Sequence, residues 1–296
     1  MKAVDATKAT PAASAEAKNA QAPALTIEVV EIDANCTGSR WTAADVEHLA
    51  RIIAIIAMGQ AAHAARIITE SLPSEPAIDH DALRANAKRG LSVTGKTDKQ
   101  REVSRYHRDG LIFEAISWAA AQQETAGKAL LRDPHLSSTT QGLDGLMIEL
   151  DEARTTITRA TIFEDKCSEN PDHTFRYKII PAFKAHHENK RAADLVATAA
   201  ALIEKIGLDG TESTKAAAHV LDMNYRAYRG SLAVTTADDT LERRKRVFKN
   251  YGELKDIQAA QRIGAVLITS DDLRAWFDQL ADSAIAYIDD LGTGGA

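Results

Sequence analysis

Apolar and polar residues alternate over residues 25–32 (LTIEVVEI), a period that predicts a strand. From Thr42 the period changes. Leu49, Ile52, Ile53 and Ile56 recur at helical spacing, with Asp45 and Glu47 in the first turns, and helix is expected to about residue 71. Pro73 and Pro76 mark a loop, a short helix is expected over 79–89, and 90–97 reads as a polar loop. A long helix is predicted over 98–124, with Leu111, Ile112, Ala115, Ile116 and Ala119 in one stripe and Glu114 on its border. Two strand-like runs follow, 143–150 and 157–166, joined by the charged segment DEART. Residues 174–180 form a third candidate strand, and 136–139 a weak one ahead of the pair. Residues 182–206 read as a helix closed by Gly207, and 212–229 as another. Further strands are expected at 231–236 and 263–269, before a last helix capped by Asp271 or Asp272 that ends near Leu291.

Composition narrows the class. The chain has 296 residues, enough for one large domain or two modest ones, and no internal repeat. Hydrophobic residues make up 45% and charged residues 26%, an ordinary globular balance. No apolar run approaches the ~20 residues of a membrane span. The first residues lack the apolar stretch of a secretory signal, so residues 1–24 are expected to be a disordered tail and the protein cytoplasmic, with no membrane association. Two cysteines, Cys36 and Cys167, support neither a disulfide framework nor a thiolate zinc site. A net charge of -6 excludes a generally basic coat for nucleic acid, so any such binding must rest on local positive charge. The expected organisation is α/β: a strand and helical region over 25–97, then an α/β core with C-terminal helices over 98–291.

The segment GLDGLMIELDEARTTITRATIFEDKC carries the candidate chemistry. Read as an antiparallel hairpin, it puts Asp144, Leu146, Ile148 and Leu150 on one face of the first strand. Thr158, Ala160, Ile162, Glu164 and Lys166 share a face of the second. A turn centred near Arg154 makes these faces coincide and sets Asp144 opposite Glu164. Two carboxylates and an ammonium then end a core-facing surface. Close carboxylates repel and raise each other's pKa unless a cation neutralises them. Magnesium is commonly held by one or two carboxylates with waters and substrate phosphate, where it can activate a water.

These residues resemble the motif of the PD-(D/E)XK nuclease superfamily, the restriction-endonuclease-like fold. Asp144 matches the first acid, and Glu164-Asp165-Lys166 matches the (D/E)-x-K element. Glu114 in GLIFEAISW matches the helical glutamate that many members add. The resemblance covers roughly residues 100–207. It implies a mixed central sheet flanked by helices, here with an N-terminal helical addition. It further implies a Mg²⁺- or Mn²⁺-dependent nuclease that hydrolyses phosphodiesters in DNA, with Asp144, Glu164 and Glu114 on the metal and Lys166 assisting the attacking water. Members of this size are similar to restriction or antiviral (anti-phage) defence effectors, which implies a helicase or sensor partner or a homo-oligomer. Leu143 stands where the motif's proline would be, and a strand-like run follows the (D/E)-x-K element where a shorter link is expected.

Several other features were weighed against this site. Residues 90–97 (GLSVTGKT) match the G-x-x-x-x-G-K-[ST] phosphate-loop pattern, but a polar, helix-like segment precedes them where that loop needs a buried strand. Nucleotide binding there is one alternative; a non-catalytic interaction protein on a degenerate nuclease fold is another. Candidate nucleic-acid contacts are Arg105 and Arg108 upstream of Glu114, Lys190, and Arg243 and Arg244 in the most basic cluster. His186 and His187 point in different directions on a helix, so they are not a zinc pair, and exposure is their default. Trp41, Trp118 and Trp276 read as core or interface, and no aromatic stripe suggests base stacking.

Overall fold

A computed structural model describes residues 22–137 and 142–293. Most of the expected tail, residues 138–139 of the weak strand candidate and the last three residues lie outside these. Strand β1 (Leu25–Asp33) turns back into β2 (Cys36–Ala43), an antiparallel hairpin. The second strand occupies residues expected to lead into a helix. Its composition hides it: Gly38 sits where a side chain would run into the Val30 carbonyl, and Thr and Ser interrupt the apolar alternation. Helix α1 (Val46–Ala57) therefore begins later, capped by Asp45, whose side chain accepts from the His48 amide at 2.9 Å. Gly59, at φ +80, separates it from α2 (Ala61–Glu70), so the expected single helix is two.

Helix α3 (Asp81–Leu91) follows, then α4 (Asp98–Thr125), which starts on a capping box between Thr97 and Gln100. Strand β3 (Leu130–Leu131) precedes β4 (Gly145–Leu150) and β5 (Ile157–Lys166). The strand before the hairpin thus lies ahead of the weak candidate at 136–139.

Residues 174–180 are helical, not a strand. Helix α5 (Pro171–Thr174) runs through a π-helical turn (Phe175–Ile179) into α6 (Ile180–His187). Asn170 caps the start with Pro171 in the first turn, and Phe175, Ile179 and Phe183 bury one side at helical spacing. Asn189, in the left-handed region at φ 58, breaks the expected long helix before α7 (Ala192–Glu204). Helix α8 (Gly210–Ala217) ends well before residue 229. Arg226 opens strand β6 (Arg226–Thr235), a central strand buried on both faces, where pairing overrides helical spacing. Helix α9 (Leu241–Val247), strand β7 (Arg262–Thr269) and helix α10 (Leu273–Thr293) complete the chain.

Among the described residues one seven-stranded mixed sheet runs in the order β1-β2-β7-β6-β5-β4-β3. Strands β2, β7, β6 and β5 are parallel neighbours, with antiparallel pairs at either side. Helices flank both faces. One core joins α1, α2, α4 and α10 to Phe163, Ala233 and Leu267. The other joins α6 and α7 to Leu146, Ile148, Ala160 and Ile162. No described helix is long and apolar enough to cross a membrane.

Candidate active site

The site lies where β5, β6 and β7 end and β4 begins, so the carboxyl ends of parallel strands and the start of an antiparallel one share an edge. Such edges are where open α/β sheets bind ligands. Gly145 pairs with Phe163, and one more step of that register sets Asp144 opposite Glu164. The Lys166 ammonium closes the pair. It contacts Asp144 Oδ2 and lies 3.1 Å from Glu164 Oε2. Asp144 Oδ2 also accepts from the Asp165 amide at 2.9 Å.

Burial sets the electrostatics. The Glu164 side chain is 6% exposed. Desolvation pushes its pKa up to about 8, with Lys166 pulling it down and Asp144 adding to the rise. Burial disfavours the Lys166 ammonium, but Glu164 and Asp144 more than offset this and hold it above the usual lysine range. Asp165 is pushed up to about 6, again by burial, with Arg229 opposing.

Strand alternation divides these groups between faces. Ile162 packs in the α6–α7 core and Phe163 in the α4 core, so Glu164 and Lys166 follow the first and Asp165 the second. A cavity of about 510 Å³ opens between α4 and the strand ends, where Gly110, Glu114, Asp144, Asp165, Lys166 and Lys178 line it. A second cavity of about 770 Å³ continues it, sharing His107, Leu111 and Ser137.

Glu114 stands on the wall of this cleft, and both its oxygens are engaged. Oε1 accepts from the His135 amide at 2.8 Å and Oε2 faces His135 Nδ1 at 3.1 Å. Arg132 Nη2 approaches His135 Nε2 at 2.9 Å and its other terminal nitrogen donates to the Leu143 carbonyl. With Arg132 donating to Nε2, the imidazole proton sits on Nδ1 and points at Glu114. The chain Glu114–His135–Arg132–Leu143 therefore ties α4 to the start of β4, one residue from Asp144. Among the described residues, no three His, Cys, Asp or Glu side chains converge closely enough to hold a metal by themselves.

The basic candidates are largely neutralised within the fold. Arg108 is buried against Asp109 and, at 2.6 Å, Asp278, which Arg105 also faces at 3.5 Å. Arg243 pairs with Asp172 and Arg244 with Asp239, each at 2.7 Å. Lys190 pairs with Glu188 at 2.5 Å and follows Asn189, which is bonded to Arg226 at the start of β6. That is the sheet edge opposite the site. His186 is buried rather than exposed, and burial pushes it down to about 4. Residues 90–97 leave helix α3 and enter α4, so no strand leads into the phosphate-loop pattern. Trp41 and Trp118 are core residues.

Tyr106, Gly110, His135, Asp165, Lys178 and Arg274 also line the cleft, and sequence reasoning did not select them. Only Asp165, inside the E-D-K element, carried any local signal. No family model, no curated protein and no solved structure matches the chain.

Proposed function

We propose that this chain is a divalent-metal-dependent phosphodiesterase acting on nucleic acid, of the PD-(D/E)XK type. The observation that carries the reading is Lys166, which lines the cleft with Asp144 and joins that carboxylate to the buried Glu164 at the carboxyl ends of parallel strands. The order α4, the antiparallel run β3–β4–β5, helices, then β6 parallel to β5 supports it, because the resemblance implies a mixed sheet in that setting.

The donor set fits Mg²⁺ or Mn²⁺. Asp144 and Glu164 offer hard oxygen ligands, and burial makes an uncompensated Glu164 charge costly, a cost that a cation removes. Bound there, the ion would supply Lewis-acid stabilisation of the phosphoryl oxygens and acidify a water. Lys166 contacts Asp144 and lies 3.1 Å from Glu164, and these neighbours hold it above the usual lysine range, as an ammonium. Its role is to donate hydrogen bonds to the phosphate and stabilise charge that develops there. Glu114 acts as a positioning residue: through His135 and Arg132 it holds the segment that delivers Asp144. Partner proteins and a defence role follow only from the resemblance.

The test is cleavage of single-stranded, duplex and plasmid substrates with Mg²⁺ or Mn²⁺. Wild type is expected to cut, and Glu164→Ala and Lys166→Ala to lose at least about 100-fold in rate, the range for removing a group that stabilises transition-state charge. Equal rates in all three proteins would sink the assignment.

A further inference from the structure

Of the six large apolar or aromatic side chains exposed among the described residues, three line the cleft. Val103 and Leu136 line the larger cavity and Tyr106 the smaller. Tyr177, 55% exposed, precedes the cleft-lining Lys178 in the chain. Apolar surface concentrated around a cleft marks a binding surface.

The Tyr106 ring is fixed in place. Its hydroxyl bonds Glu102 at 2.8 Å, and the Arg274 guanidinium lies 4.6 Å from its centroid. Arg274 is itself held by Asp109 at 2.5 Å and Glu169 at 2.7 Å. The ring is nonetheless 43% exposed. Tyr177 repeats the arrangement, with Arg176 at 5.0 Å from its ring and His173 at 4.7 Å. The cleft lining also includes Gly110, whose missing Cβ would meet nothing within 4 Å.

Charge points the same way. Duplex binders neutralise on the order of 6–10 phosphates. Among the described residues, the cleft-lining arginines Arg108 and Arg274 are already ion-paired, and the exposed cations on the lining that form no ion pair are Arg89 at one end and Lys178 at the other. Each cavity falls in the ~300–1,000 Å³ range that holds one small molecule. That is room for individual nucleotide units with unstacked bases, taken two or three at a time along the joined cavities.

We infer that the cleft takes single-stranded nucleic acid, with a base stacked on Tyr106 and the adjoining phosphate delivered to Asp144 and Lys166. This inference rests on the phosphodiesterase reading of the same cleft and specifies its substrate.

Fluorescence anisotropy in EDTA tests it without cleavage. The probes are labelled oligo(dT) and oligo(rU) of roughly 15 nucleotides, within the span of known single-strand sites, and a hairpin duplex. Either single strand is expected to bind at least tenfold tighter than the duplex, and the ratio of the two shows which sugar is preferred. The slope of log K against log salt is expected near about -1.4, two phosphates' worth, against about -5 or steeper for a duplex binder. Tyr106→Ala should weaken binding about 5- to 100-fold, the range for one lost stack, while Tyr106→Phe retains it.

Duplex bound as tightly as single strand, a steep salt slope, unchanged binding in Tyr106→Ala, or no binding to any probe would overturn the inference. Mg²⁺-dependent cutting that prefers duplex overturns it while leaving the phosphodiesterase reading standing. Tight single-strand binding without cutting does the reverse.

Discussion

Glu164 should make the protein less stable as pH rises, and replacing it with glutamine should remove that loss. The carboxyl is buried, and its pKa moves from the ordinary 4.5 to about 8 in the folded chain. Below 4.5 it is protonated in both folded and unfolded states and contributes nothing. Between 4.5 and 8 the unfolded chain ionises while the folded chain does not, so stability declines through this window and levels off above it. Each pH unit is worth ~1.4 kcal/mol, so the full decline is on the order of 4–5 kcal/mol. At roughly 2 °C per kcal/mol for a chain of this size, it amounts to roughly 8–10 °C. Glu164→Gln keeps the shape and cannot ionise. Thermal unfolding followed by circular dichroism should therefore give nearly equal Tm values at pH 4.5, with the variant higher by that amount at pH 9. Adding Mg²⁺ at pH 9 should raise the wild-type Tm and leave the variant where it is, because only the ionised carboxylate gains from a cation. A variant shifted equally at both pH values, or destabilised at pH 9, would refute the burial argument. Raised wild-type and variant Tm values in equal measure would refute the metal assignment alone.

Other perturbations separate stability from use of the cleft. Gly110→Ala fills open space on an interior turn of α4, so it should stabilise by about 0.5–1 kcal/mol in urea unfolding while lowering oligonucleotide affinity. Asp109 is fully buried between Arg108 and Arg274, and Asp109→Ala should cost about 3–5 kcal/mol in the same assay by removing the buried carboxylate that both guanidinium groups share. His135→Phe breaks the tie from Glu114 to β4. Cleavage should fall because Asp144 is less well held.

Much of the site was legible because it is local. The Asp144–Glu164 register depends on one hairpin, and alternation plus a turn near Arg154 suffices to place it. Arg154 does take the left-handed backbone, at φ 59, that such a turn requires. Strands β1, β5 and β7 and the long α4 announced themselves by period in the same way. The π-helical turn did not, because FRYKII has a strand-like composition and only its packing against Tyr228, Phe248 and Tyr251 decides for helix. Strand β2 was hidden for the opposite reason. Its residues have little strand character and are held by neighbours on both sides, one of them β7, more than 200 residues away in the chain.

The sequence by itself determined the hairpin, its carboxylate pair and the lysine between them, since these depend on period and short-range register. Tertiary structure alone decided which groups share a space with that pair. It engaged Glu114 with His135 and used most of the nearby arginines in internal ion pairs. It also brought Tyr106 and Lys178, from helices separated by three strands in the chain, to the lining of one cleft. Ion pairing and burial depend on contacts between distant segments, and no local period encodes those.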